Sequence, residues 1–583
     1  MSATLRLACL GLAILTLLPA CARQAANEDE RLQAIYNSEW KWRTDQTPDD
    51  EDAVRPIAEH LPHVDPATQQ MRLEYWQAVV RKLDGIDRAR LSAKEQLNYD
   101  IYRRQVEVLI TDQRFRDFEM PANSDSSFWS DIGYTARRPF RHAEDYEHWI
   151  SQMQEVPRYF QEQMQEMRAG LRRGFTPPRV TMEGRDKSIV AVIEAAPADT
   201  LFYTPFREMH GVPAARQQAL RERALKVIRD SVQPAYVGLL KFMREEYVPG
   251  MRTTLAAYDL PDGAQYYRAK IREFTTLDMD PKAIHDLGVA EVERLHGEMV
   301  KVMVQTGFKG DFAAFLKFLR SDPRFYVKTP EELLMHAAWI AKRFDGKAAQ
   351  YFGYLPRARF AIKPVPDDIA PFYTAGRGGS GVYLLNTYDL PSRPLYNLTA
   401  LTLHESAPGH AFQIPIAMEH KDQPAFRQLT YISAYGEGWA LYCERLGEEM
   451  GMYDTPYDRF GMLGYQVWRA ARLVVDTGIH AQGWTREQAL DYFRTYTALP
   501  EREIETEIDR YITWPGQALS YYLGERAILE ARRHAEAALG ERFNIRAFHD
   551  AVLELGSVPL PVLTERVNRF IADGGRGPYP DME

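Results

Sequence analysis

The sequence predicts a mainly α protein, a large helix-rich body with a small β-sheet in its middle third. Three observations carry this. Apolar residues recur at three- and four-residue spacing through most of the 583 residues. The period shortens to two only between 356 and 390. Helical spacing returns at about residue 395 and continues nearly to the end.

Taken in order, residues 1–20 stand apart. Arg6 is followed by an apolar run, Leu7 to Leu18, too short to span a bilayer comfortably, and then by small residues. This is a secretory signal pattern. Its ending, Leu18-Pro19-Ala20-Cys21, resembles the bacterial lipobox, which implies cleavage before Cys21 and lipidation of its thiol. Ala22, where retained lipoproteins carry Asp, implies sorting to the outer membrane. The expectation is a periplasmic protein held by a lipid anchor at Cys21, with residues 21–30 as a flexible tether and 31–583 as the folded part. That part is long enough for one core or for two lobes.

Residues 69–112 alternate apolar positions with charges at helical spacing. Residues 142–174 continue in that style and stop at Gly174, before Thr176-Pro177-Pro178. A further pattern runs over 213–246. Asp280-Pro281 supplies a cap and a first-turn proline for the next helix. Arg359 to Val365 alternates as a short strand, and glycines precede a Val-Tyr-Leu-Leu strand in the run 378–390.

Composition excludes some classes. With 45% hydrophobic and 26% charged residues the chain is an ordinary globular protein, and a formal charge of −9 with no basic run argues against nucleic-acid binding. Of three cysteines, only Cys443 remains if Cys9 is removed and Cys21 acylated, so no internal disulfide is expected. Cys443 reads as a small buried apolar residue.

The chemistry concentrates in LTLHESAPGH (401–410) and YGEGWALYCE (435–444). His404, His410 and Glu437 are two imidazoles and a carboxylate, the donor set of a zinc site that keeps a position open, and Glu405 is a spare carboxylate beside it. The histidines are six residues apart, not the four that share a helix face. On a regular helix six steps separate them by about 120° and about 9 Å, too far for one ion. Pro408 lacks an amide hydrogen and clashes with the carbonyl of His404, and Gly409 accepts angles closed to other residues. Together they should break the helix and return His410 toward His404. The competing reading is that these histidines only cap or pack a helix; the second element, Glu437, weighs against it. Glu444, seven residues after Glu437, projects from nearly the same face and could orient a ligand imidazole.

The segment Glu437-Gly438-Trp439-Ala440-Leu441-Tyr442 resembles the helix that gives the third ligand in aminopeptidase-N-like zinc enzymes. More broadly, the chain resembles the bacterial domain-of-unknown-function 885 family, regarded as zinc-peptidase-like. The blocks that carry this are Gly174-Phe175-Thr176-Pro177-Pro178, 260–267, 274–295, HESAPGH, 435–446 and 511–524. The resemblance implies a zincin-like body with a deep cleft beside the sheet and the active-site helix.

The expected activity is a zinc-dependent peptidase acting on small peptides, with Glu405 as general base. An oxyanion donor is expected among Tyr521, Tyr522 and Gln517; Tyr521 is favoured because a phenol serves this role in related zincins. His480 and His534 are weaker candidates. The glycine-rich strand should act as a rail for an extended peptide, with Gly379, Gly381 and Tyr383 on it and Arg377 and Arg393 flanking it for a substrate carboxylate. A zinc amidase and a non-catalytic binding lipoprotein are the alternatives, and the retained Glu405 disfavours the last.

Overall fold

The computed structural model describes residues 28–46, 55–124, 126–367 and 369–582. The signal segment, Cys21 and the first part of the expected tether lie outside these. The tether was expected to reach residue 30, but helix α1 (28–46) already includes 28–30. Among the described residues no helix is long and apolar enough to cross a membrane.

The chain divides into two compact units, Met1–Thr254 and Leu255–Glu583. In the first, the 69–112 pattern resolves into α2 (Pro66–Asp84) and α3 (Ala93–Phe115), which pack on each other. The chain reverses at Gly85, which caps α2 while Lys82 and Leu83 supply its last carbonyls. Helix α4 (Ala143–Arg173) stops where expected, at Gly174 in the left-handed region with φ of 74°. Helix α5 (Ala214–Val227) runs on through a wider turn, Ile228–Val232, into a further segment, Gln233–Phe242. The core of this unit is aromatic. Trp149 stacks on Phe202 at 5.7 Å and Tyr236 tilts against Phe160 at 5.0 Å. All four are buried, each contributing roughly 1.5–3 kcal/mol by leaving water.

The second unit holds the sheet and both sequence motifs. Asp280 caps α6 (Pro281–Gln305) by accepting from the Lys282 amide, with Pro281 in the first turn. Strand β1 (Ala361–Pro364) runs parallel to β3 (Val382–Leu385), and β2 (Gly376–Gly379) pairs antiparallel on the other side of β3. The order is β1-β3-β2, so β2 is an edge. The glycine-rich strand expected as one run is thus two, β2 and β3.

Helices α7 (Leu395–Glu405), α8 (His410–Glu419), α9 (Ser433–Glu449), α10 (Pro456–Gln482), α11 (Glu501–Thr513) and α12 (Ser520–Leu539) follow. α10 is buried on nearly every face from Phe460 to His480, the mark of a central helix. α6 and α7 pack on it, and α9 crosses α12 where Gly438 meets the backbone of Gly524. These contacts fix α7 and α9, the two helices that carry the motifs, in one core.

Candidate metal centre

α7 is enclosed by its neighbours, and Leu398 to Glu405 are buried, the polar Thr399, Thr402, His404 and Glu405 included. The helix ends at Glu405, and α8 begins at His410. Between them Ala407 and Pro408 are joined by a cis peptide bond. The Gly409 amide returns to the Leu403 carbonyl at 3.0 Å, and the Trp439 indole N–H donates to the Pro408 carbonyl at 2.8 Å. Gly409 is required by closeness: a Cβ there would overlap the His404 carbonyl oxygen. This reversal brings the two imidazole centroids to 4.9 Å, with ring planes at 87°.

Glu437 sits in the second turn of α9 and faces both rings. His404 Nε2 and His410 Nε2 each lie 3.4 Å from the same oxygen, Glu437 Oε2. A charge-assisted hydrogen bond would be about 2.7–2.9 Å, so both distances are too long for direct pairing. Donors bound at about 2.0–2.2 Å to one tetrahedral ion are separated by about 3.3–3.6 Å, which is the spacing found. The donor set, two buried imidazoles and a half-buried carboxylate, fits a zinc ion.

The surroundings fit a cation too. Glu444 is fully buried, and its Oε1 lies 2.8 Å from His404 Nδ1. With the Nδ1 proton donated to Glu444, Nε2 presents its lone pair to the centre. Arg469 Nη2 lies 3.6 Å from the same Glu444 oxygen. Burial opposes a charged His404 ring, yet the carboxylates of Glu405, Glu437 and Glu444 push it up to about 10. Burial acts against the Glu437 carboxylate as well, but His410 and His404 hold it well below the usual range. Without a metal, a proton on the His404 imidazole offsets part of this negative charge.

Glu405 is fastened by the sheet. Its Oε2 accepts the Gly378 amide of β2 at 2.6 Å. Strand and helix end approach so closely that a Cβ on Gly378 would overlap the Glu405 carbonyl. The edge strand therefore spends one main-chain donor on Glu405 itself.

The substrate residues expected from the sequence fare unevenly. Gly379 lies on β2, and Arg377 projects from it, exposed. Gly381 is off the strand, in the β2–β3 turn with φ of 82°. Tyr383 cannot line a rail: it is fully buried and packs against Gly376. A side chain on a central strand alternates to the core face, which sequence spacing alone did not assign. Arg393 donates Nε to the Asn386 carbonyl at 3.1 Å, a structural bond that shapes the chain after β3.

Tyr521 is 8% exposed and its hydroxyl accepts from Arg510 Nη2 at 3.2 Å. Gln517 also accepts from Arg510, and Tyr522 donates to Glu291 at 2.7 Å. His480 is buried, bound to the Ala257 amide and the Tyr511 carbonyl, and His534 is exposed on α12.

The phenol in contact with Glu437 is Tyr431, which sequence reasoning missed. Its hydroxyl donates to Glu437 Oε1 at 2.8 Å, its ring centre lies 6.3 Å from His410, and it is 46% exposed. Desolvation and the Glu437 carboxylate hold this phenol protonated, well above its usual range. The signal was present: Gly436 has no Cβ where the Tyr431 ring folds back over α9. Cys443 is buried and free, its thiol pushed up by burial and then by Glu444.

Two solved structures resemble the whole chain. One, from Colwellia psychrerythraea and described as a "putative lipoprotein", has a TM-score of 0.85 and 26% identity, covering 95% of this chain and 99% of its own. The other, a "putative lipoprotein of unknown function" from Shewanella oneidensis, has a TM-score of 0.67 and 18% identity, covering 92% and 98%, and speaks to the fold alone. No curated protein matches the chain. The model of the family described as bacterial protein of unknown function (DUF885) matches residues 49–567, and the chain belongs to that family.

Proposed function

We propose that this protein is a zinc-dependent peptidase with a zincin-like plan, acting on small peptides in the periplasm from a lipid anchor at Cys21. The observation that carries the reading is the equal 3.4 Å spacing of two imidazole nitrogens from one carboxylate oxygen. The neighbour from Colwellia psychrerythraea described as a "putative lipoprotein" supports the anchor, as does the lipobox-like ending at Cys21.

His404, His410 and Glu437 would hold the ion, which when bound lowers the pKa of a water toward about 7 and polarises a carbonyl. Glu444 keeps the His404 proton on Nδ1, which orients the ring. Glu405 takes a proton from the attacking water and returns it to the departing amine. Its Oε2 is held by the Gly378 amide, so Oε1 is the oxygen that exchanges the proton. Tyr431 replaces Tyr521 as the favoured oxyanion donor, because its hydroxyl lies beside a ligand and its ring is open to substrate. An extended peptide would lie along the unpaired side of β2.

The test uses purified protein loaded with zinc, a mixed peptide library and mass spectrometry. Cleavage is expected, and Glu405→Gln should reduce it about 10³-fold or more while keeping the metal. Intact peptides after incubation with fully loaded protein would refute the reading.

A further inference from the structure

We propose that Tyr431 is a positioning residue that reserves one oxygen of Glu437, so that this carboxylate offers a single oxygen to an ion and one position stays open. This rests on the zinc reading and adds to it the group that keeps the site open. The two oxygens of Glu437 are engaged differently. Oε2 is the one that both imidazole nitrogens face, at 3.4 Å each. Oε1 accepts the Tyr431 hydroxyl at 2.8 Å. A carboxylate can hold a cation through one oxygen or through both. Binding through both would require Oε1 to turn toward the imidazoles and give up a hydrogen bond to a charged acceptor.

The chain builds the phenol into this place. Tyr431 lies two residues before α9, and its ring folds back over the first turn of that helix. A Cβ on Gly436 would overlap the ring edge and the hydroxyl. The backbone is fixed on both sides of the tyrosine. The Ile432 amide donates to the Ser557 hydroxyl at 2.8 Å, and the Ile432 carbonyl accepts the Gly436 amide at 3.0 Å. On the other side the Thr430 hydroxyl donates to the Phe426 carbonyl. A side chain whose flanks are already ordered gives up little freedom in making its bond, so the hydroxyl is in place before any ion arrives.

The three candidate ligands are supported unequally. His404 Nδ1 lies 2.8 Å from Glu444 Oε1, and Glu437 Oε1 holds Tyr431. His410 Nδ1 is buried with no hydrogen-bond partner among the described residues. Glu444 engages a ring atom that faces away from the centre, and a partner of that kind raises affinity by orienting its ligand. Tyr431 instead occupies an atom that could itself bind the ion. Removing its hydroxyl therefore frees a ligand atom, and the expected change in affinity has the opposite sign. A phenol has one proton to donate, so Tyr431 serves an oxyanion only after leaving Glu437, and its two roles are successive.

The test compares the full mature chain with its Tyr431→Phe variant, each stripped by chelator and loaded with one equivalent of cobalt(II), whose visible spectrum reports the number of bound donors. Wild type should show the strong absorption of about four donors, and Tyr431→Phe the weaker absorption of about five. Azide, which takes an open position, should shift the wild-type spectrum and bind Tyr431→Phe about tenfold or more weakly. Metal affinity, read by competition with a chelator, should rise or fall by no more than about threefold, whereas losing an orienting partner lowers it about 10- to 100-fold. A larger fall overturns the proposal, as do identical spectra or equal azide affinities in the two proteins. A wild-type spectrum that azide leaves unchanged overturns it without any variant. Wild-type protein that binds neither cobalt nor zinc removes this proposal together with the zinc reading. Spectra that differ as expected in a protein that cleaves no peptide uphold the proposal, and the peptidase reading then fails alone.

Discussion

Among the described residues two clusters bring histidine and carboxylate side chains within reach of a common ion, and they differ in almost every other respect. His404, His410 and Glu437 are enclosed in the second unit, and both rings face one oxygen at a spacing too long for hydrogen bonds. His63, Asp65 and Glu162 lie at the surface of the first unit, where the His63 side chain is 61% exposed. There each group already has ordinary work. Asp65 caps α2 through the Ala67 and Thr68 amides. Glu162 accepts the Val64 amide at 2.8 Å and pairs with Arg158 at 3.0 Å, and His63 Nδ1 meets it at 3.1 Å. Proximity of donors is therefore a poor criterion. What separates the two is whether the donors are satisfied without a cation and whether a further residue, as Glu444 does, sets the ring.

The sharpest break in this comparison comes from Glu437→Gln. Removing the shared anionic oxygen should lower zinc affinity by about 10³-fold or more, read by competition with a chelator, and abolish cleavage. Retained stoichiometric zinc would erase the distinction between the clusters. Glu444→Gln should act less, lowering affinity about 10- to 100-fold, because the ring loses its charged partner but keeps a neutral acceptor.

A third experiment uses pH. In metal-free protein the His404 pKa of about 10 lies above its ordinary 6.5. A raised folded-state pKa gives stability that is fully present below about 6.5 and lost as pH rises through about 10, on the order of a few kcal/mol. Thermal unfolding of metal-free protein should therefore fall in temperature across that window. Zinc should flatten the curve, and metal affinity should rise with pH as protons are displaced. A flat metal-free profile would show that the carboxylates do not act on the ring as described.

The smallest effect is expected from His63→Ala. Zinc content should be unchanged and stability altered by about 0.5 kcal/mol or less, as for an exposed side chain. Loss of one equivalent of metal in this variant would make the surface cluster a site after all.

The sequence made the candidate ligands legible because their constraint is local. Pro408 and Gly409 announce a chain reversal by their own backbone chemistry, and Glu437 sits on an unmistakable helix. The sheet, too, was visible ahead of the histidines through its change of period. Contacts between distant segments were not. Nothing in the spacing says that the Gly378 amide meets Glu405 or that Tyr383 turns inward, since a strand's pairing partner decides which face is buried. Finding Tyr431 beside Glu437, among 32 tyrosines, needed the fold of the segment before α9. The boundary between the units, at Thr254, carries no composition change and was likewise hidden.

The reversal at 406–409 has a consequence for how the protein assembles. Two donors come from seven consecutive residues, whereas the third waits 27 positions downstream. Closing the short loop costs little entropy, and closing the longer one costs only modestly more. On the proposed zinc reading, a nascent chain would grip an ion loosely with its paired rings before α9 docks. Arrival of the acid would then turn a transient chelate into the mature centre, coupling metal capture to the final packing of the core.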